Sequence, residues 1–332
     1  MPKGTLGGAD AAVWQKDKED GKVISLQALR ESSQTEGKIM TVFTGVGTAI
    51  VTPFNEQNQV DWDVYADLIE FQIANGVDAL VVCGTTGEAA TLTYEERLES
   101  VRFVAQQAKG RVPVISGGGS NSTANSIRLS LDGKRVGADA ILAVTPYYNK
   151  TTQKGLIAHF TAIADAVDLP IILYNVPSRT GLNMEAKTVA ELAKVENIVG
   201  IKEASHNIDL VTHIAAYCGP DFDIYSGNCA EVLPILALGG KGCISATSNI
   251  APQSYHDMVI KFLAGDVAGA RKLQLNLVDL VDAMFCEVSP MPVKYALRQM
   301  GYAVGEARLP LTTLEPESTE KIKKAMVDYG LI

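Results

Sequence analysis

Four short segments of this chain hold side chains suited to the chemistry of carbonyls and carboxylates. In VGIKEAS, residues 199–205, Lys202 follows an apolar run. Taking an ammonium group out of water favours its neutral amine, which can attack a carbonyl carbon and form a Schiff base. The same context also suits a lysine that pairs with Glu203 or stretches past a strand end into solvent. In LYNVPSRTG, residues 173–181, Tyr174 is either a packing aromatic or, beside an imine-forming lysine, a phenol that shuttles protons. Arg179, in a loop bounded by proline and glycine, either holds a carboxylate in its bidentate fork or is solvated. In GTTGE, residues 84–88, two glycines flank Thr85 and Thr86, so backbone N–H groups and hydroxyls can converge on one small anion. In TPYYN, residues 145–149, Tyr147 and Tyr148 cannot face the same way from an extended backbone; one can line a pocket while the other covers an interface.

Each segment lies at the end of a short apolar run, and eight such runs follow one another from Gly45: GVGTAIV, ALVVCG, VPVISG, AILAVTP, IILYNVP, IVGIKEA, FDIYSG and GCISAT. The stretches between them have helical spacing, as in Val64, Leu68 and Phe71, or Leu98, Val101, Ala105 and Ala108, the latter opened by a capping box of Thr93 and Glu96. Uniformly apolar strands alternating with helices predict a parallel sheet covered by helices. Eight units over about 220 residues fit a closed (β/α)8 TIM barrel better than an open doubly wound sheet, and no GxGxxG follows the first run. Chemistry in such barrels gathers at the C-terminal ends of the strands, where all four segments stand. From about Gly265 the sequence reads as helices only, including PVKYALRQMG. The predicted organisation is an N-terminal extension over 1–40, the barrel over 41–264 and a small helical C-terminal region over 265–332. The extension balances acidic and basic residues, unlike an organellar transit peptide.

Composition narrows the partners. With 47% hydrophobic and 20% charged residues over 332 positions, the chain is expected to fold as a soluble globular protein. A net charge of −9 and the lack of basic runs interleaved with aromatics argue against nucleic acid. No apolar run is long enough to span a bilayer and no signal core precedes the barrel, so no membrane association and a cytoplasmic location are expected. Cys83, Cys218, Cys229, Cys243 and Cys286 are widely spaced, form no C-x-x-C pair and predict neither a structural metal nor a disulfide framework.

In this order and spacing, GTTGE, TPYYN, YNVPSRTG and GIKEAS resemble the pyruvate-dependent class I aldolase family that contains dihydrodipicolinate synthase and N-acetylneuraminate lyase. The resemblance runs from about Val46 to the C-terminal helices. It implies that Lys202 forms an imine with pyruvate and that no other cofactor is needed. Tyr174, Thr86 and Tyr148 would form the proton relay, with Tyr148 reaching in from a neighbouring subunit. Thr85 and Thr86 would hold the pyruvate carboxylate, while Gly227 and Ile244 would line the pocket through their backbones. Arg179, together with Thr85 in place of the serine of the lyase pattern, points to the synthase branch. There the arginine binds the carboxylate of L-aspartate 4-semialdehyde, and the product is 4-hydroxy-tetrahydrodipicolinate, on the route to diaminopimelate and lysine. The family habit is a homotetramer built as a dimer of dimers. Two other readings stand beside this one: a related pyruvate aldolase acting on a sugar acid or hydroxy-oxo acid, and a non-catalytic barrel that binds an oxo acid.

Many members of that family are inhibited by lysine between subunits, at positions that tend to carry Ser, two histidines and a glutamate. This chain has Ala89, Tyr94, Arg97 and Asn125 there, with Asn121 and Tyr147 retained. An ammonium group needs a carboxylate, whereas Asn125 offers an amide dipole and Arg97 a like charge. Weak or absent lysine feedback is expected.

Overall fold

The computed structural model describes residues 41–332; the extension read at 1–40 lies outside them. Eight parallel strands close into a barrel in chain order: β1 Gly45–Ala49, β2 Ala79–Val82, β3 Val114–Gly117, β4 Ala140–Val144, β5 Ile171–Asn175, β6 Ile198–Glu203, β7 Asp223–Ser226 and β8 Gly242–Ser245. Helices cross back between them: α1 Trp62–Ala74, α2 Tyr94–Ala108, α3 Thr123–Arg135, α4 Gln153–Ala166, the pair α5 Pro177–Thr180 and α6 Ala186–Leu192, α7 Ile208–Cys218, α8 Val232–Ala237 and, after β8, α9 Pro252–Leu263. The fold is the (β/α)8 barrel expected from the sequence. It is followed by α10 Val267–Asn276, α11 Val278–Met284, α12 Met291–Gln299 and α13 Pro316–Tyr329.

The apolar runs lack alternation because both faces of each strand are covered. Ala79, Val81, Ile115, Leu142, Ile172, Tyr174, Tyr225 and Ile244 fill the barrel interior. Leu80, Val82, Ile141, Leu173 and Ile201 pack outward against the helices. Helix α2 starts at the capping box read from the sequence: the Thr93 hydroxyl accepts from Glu96 N and the Glu96 carboxylate accepts from Thr93 N. In α1 the buried stripe is Tyr65, Leu68, Ile69 and Gln72, turned from the expected Val64, Leu68 and Phe71. The displaced Phe71 is used on the flank, where its ring centroid lies 5.4 Å from that of Tyr302.

Two features of the sheet bear on the site. Between β5 and β6, Ile171 stands opposite Ile198 but Ile172 stands opposite Gly200, so Val199 is an extra residue in β6. The C-terminal segment closes over strand-end loops: Phe54 N donates to Val304 O at 3.0 Å, and Arg308 N donates to the Glu88 carboxylate at 2.8 Å. Among the described residues no helix is long and apolar enough to cross a membrane.

Candidate active site

Past the bulge, the β5–β6 ladder puts Tyr174 opposite Lys202 and Asn175 opposite Glu203. Lys202 is buried, and its Nζ lies 4.3 Å from the centroid of the Tyr174 ring. Glu203, the alternative partner for this lysine, faces the other way. Its carboxylate accepts from Asn175 Nδ2 at 2.9 Å and from Ser205 N at 2.6 Å. Burial raises its carboxyl above the ordinary carboxylate range, while the donors from Ser205 and Asn175 oppose that shift. Asn175 in turn donates to Asn183 Oδ1 at 2.8 Å and accepts from Met184 N at 3.0 Å, tying the strand end to the loop that follows α5.

Gly227 follows β7 and leaves room for the lysine stem. A Cβ there would lie 3.1 Å from Lys202 Cε and 2.6 Å from Ala204 Cβ. Its N–H donates to Glu203 O at 2.7 Å, so the backbone cannot move away cheaply. Gly227→Ala is therefore expected to displace the Lys202 amine and lower kcat on the order of 10²-fold, while the melting temperature falls only modestly. Steady-state kinetics beside a thermal melt check this; an unchanged kcat would refute it.

A cavity of about 360 Å3 is lined by Thr85, Tyr147, Tyr174 and Arg179, with Ser289 and Leu311 contributed by the C-terminal region. Lys202, Thr86, Gly227 and Ile244 are not on its walls; Lys202 adjoins it through the Tyr174 ring. Thr86 is buried in the turn after β2, Thr85 is exposed, and Ile244 is buried in the barrel interior. The turn closes through Glu88 N to Thr85 O at 3.1 Å and Ala89 N to Gly84 O at 3.3 Å, and Gly87 O accepts from the Thr52 hydroxyl at 2.8 Å. Arg179 sits on α5, which begins with Pro177 and ends at Gly181 in the left-handed region. Its Nη2 donates to Ser289 O at 3.4 Å. Sequence reasoning did not find the wall residues from 288–290 and 310–311, because nothing in the local pattern marks which loop returns to the barrel mouth.

Tyr148 stands apart from this cavity. It is 92% exposed and held at φ +67°, a conformation unfavourable for an aromatic residue. Tyr147, beside it, lines the cavity. Among the described residues no group of three His, Cys, Asp or Glu is arranged to hold a metal ion.

The region expected to be a degenerate regulatory site is occupied by its own side chains. The Tyr94 hydroxyl donates to Asp132, which also accepts from Arg135 at 2.8 Å. Arg128 lies 4.5 Å over the Tyr94 ring and donates to Asn125 Oδ1 at 2.9 Å. Arg97 donates to Gly117 O at 2.8 Å, and Asn121 O accepts from Asn149 Nδ2 at 2.9 Å. Ala89 borders the cavity lined by Tyr174 and Arg179. The void between Tyr94, Arg97 and Asp132 is about 20 Å3, room for one water.

The dihydrodipicolinate synthetase family matches residues 42–328. The chain belongs to that family. The 4-hydroxy-tetrahydrodipicolinate synthase of Acetivibrio thermocellus is 53% identical over 291 residues, covering 88% of this chain and 99% of the relative. Among solved structures, a dihydrodipicolinate synthase from Acinetobacter baumannii complexed with pyruvate has a TM-score of 0.86 at 41% identity, covering 88% of this chain and all of that one. The enzyme from Cyanidioschyzon merolae, solved with lysine bound, has a TM-score of 0.86 at 42% identity, covering 88% of this chain and 99% of the other.

Proposed function

We propose that this chain is a 4-hydroxy-tetrahydrodipicolinate synthase, a lyase that joins pyruvate to L-aspartate 4-semialdehyde through an imine on Lys202. The observation that carries the mechanism is the buried lysine amine against the Tyr174 ring, at the edge of a cavity with a guanidinium on its wall. The family membership and relatives above half identity support the activity. In the reaction, the Lys202 amine adds to the pyruvate carbonyl carbon, and loss of water leaves the imine. Removal of a methyl proton gives an enamine, whose carbon forms the new bond to the aldehyde carbon of the acceptor. The amino nitrogen of the acceptor then attacks the imine carbon, closes the ring and releases Lys202. Each of these steps moves protons, and Tyr174 with Thr86 are the groups we assign to carry them within the subunit.

Tyr148 supplies the third hydroxyl in this reading, reaching the site of a neighbouring copy in a homotetramer. Its nearly full exposure in a strained backbone supports that role, since one subunit alone gives the strain no return. Thr85 and Thr86 bind the pyruvate carboxylate, Arg179 that of the semialdehyde, and the backbones at Gly227 and Ile244 bound the imine. The product belongs to a cytoplasmic biosynthetic route, and the covalent imine stands where other enzymes use a cofactor. Borohydride added with pyruvate tests the assignment: a stable mass increase mapped to Lys202 is expected, and its absence would reject the imine. An acceptor panel of the semialdehyde, N-acetylmannosamine and glyceraldehyde should show turnover with the first; preference for another would move the chain to a sister activity.

Lysine should inhibit poorly. An incoming ammonium would meet Arg97 and Arg128, while the Asn125 amide oxygen already accepts from Arg128 and the Asp132 carboxylate from Tyr94 and Arg135. With like charges facing it, millimolar lysine is expected to leave the steady-state rate within about twofold. A steep fall in rate over that range would refute this.

A further inference from the structure

A charge pair buried on both sides, which the proposed mechanism leaves unused, lies directly behind the anion-binding turn. Lys294 of α12 is fully buried, and its Nζ donates to Glu88 Oε1 at 2.7 Å, both side chains being 1% exposed. The other carboxylate oxygen, Oε2, accepts from Arg308 N at 2.8 Å. Nζ also donates to Glu306 O at 3.1 Å and lies 4.1 Å from the centroid of the Phe54 ring, over which Arg308 sits at the same distance. Glu88 closes the GTTGE turn, is held at φ +53° and borders the cavity. Burial pushes the Lys294 ammonium down to about 8, while the Glu88 carboxylate opposes that shift and favours the charged form.

A buried carboxylate at the end of a turn that must accept an anion is an electrostatic problem. In a medium of low dielectric, its charge acts strongly on a second carboxylate bound nearby. We propose that Lys294 is a positioning residue for the oxo-acid carboxylate. By neutralising Glu88 and fixing the turn from behind, it lets the N–H groups and hydroxyls of the GTTGE turn receive a substrate anion. The proposal rests on the reading that Thr85 and Thr86 hold pyruvate. It gives the C-terminal helices a part in substrate binding beyond forming the cavity wall. The other charged groups facing the ammonium are Arg298 and Glu306 from its own end of the chain, together with Arg308 across the Phe54 ring.

Charge and structure can be separated by three variants assayed at pH 7, where the Lys294 ammonium is mostly charged, for kcat and for the KM of each substrate. Lys294→Met leaves Glu88 without its cation, and we expect the KM for pyruvate to rise at least about tenfold while kcat and the semialdehyde KM change less. Glu88→Gln removes the repelling charge and lets the buried lysine shed its proton, so the pyruvate KM should stay within about threefold of the parent. The double variant should do the same, rescuing the single lysine variant. A merely structural pair would behave otherwise: all three variants would lose melting temperature and activity together. Equal damage from Glu88→Gln and Lys294→Met, or an unchanged pyruvate KM in a folded Lys294→Met, overturns the proposal. If Lys294→Met does not fold, the double variant and Glu88→Gln still decide, because a raised pyruvate KM in both refutes a charge role. Borohydride trapping of the parent protein keeps the underlying assignment separate: no pyruvate adduct on Lys202 would sink that reading, whereas an adduct with no KM effect would sink only this one.

Discussion

Lys202→Ala should abolish both the borohydride-trapped pyruvate adduct and turnover, lowering kcat on the order of 10⁴-fold or more while the protein remains folded. The size follows from the chemistry. Without an amine at this point pyruvate cannot become an imine, and its methyl carbon is then a poor nucleophile at neutral pH. No other buried lysine stands in: Lys294, the remaining one among the described residues, is engaged by Glu88 and Glu306 O. Mass spectrometry after reduction, beside a thermal melt, checks the result. An adduct of the same mass in the variant would show that another lysine carries the imine.

Arg179→Ala should raise the KM for the semialdehyde by roughly 10- to 150-fold, the equivalent of about 1.5–3 kcal/mol for hydrogen bonds to a charged group. The pyruvate KM should shift by less than about threefold, because the turn we assign to that carboxylate lies on a different strand end. Arg179 is exposed and makes one long contact, to Ser289 O at 3.4 Å, so its fork is free to take a carboxylate without breaking a strong bond. Arg179→Lys keeps the charge but loses the planar fork, and should recover only part of the loss. If both KM values rose together, the arginine would be supporting the loop rather than selecting the acceptor.

The barrel was legible because its signal is strong and repeated. A strand covered on both faces needs an unbroken apolar run, and all eight runs lie on the eight strands. Lys202, Tyr174 and Arg179 each had an ordinary reading as well, as a paired lysine, a packing aromatic and a solvated loop residue, and it was their joint order with GTTGE and TPYYN that singled them out. The burial stripe of α1 was harder, since Phe71 is apolar for the flank that meets Tyr302 and Val64 is only partly buried, while Gln72 is buried. Gln72 faces the strand layer because its amide is satisfied there, accepting from the Thr48 hydroxyl at 2.7 Å and donating to Asn249 O at 2.9 Å. The pairing of Glu88 with Lys294 was not visible at all. Those residues are 206 positions apart, and a lysine in PVKYALRQMG looks like any solvated helix residue until the tertiary fold encloses it.

The identity of the residue facing the barrel on β6 is a matter of phase. Counted regularly from the Ile171–Ile198 pair, Ile201 would stand opposite Tyr174 and Lys202 opposite Asn175, with the ammonium turned out among the helices. Val199, buried in the barrel interior, adds the one residue that inverts this parity and delivers Lys202 inward and Glu203 outward. Asn175 then acts as a checksum: its amide meets a carboxylate only when the count is correct. The chain thus verifies the orientation of the Lys202 amine with the acidic residue next to it, before any substrate arrives.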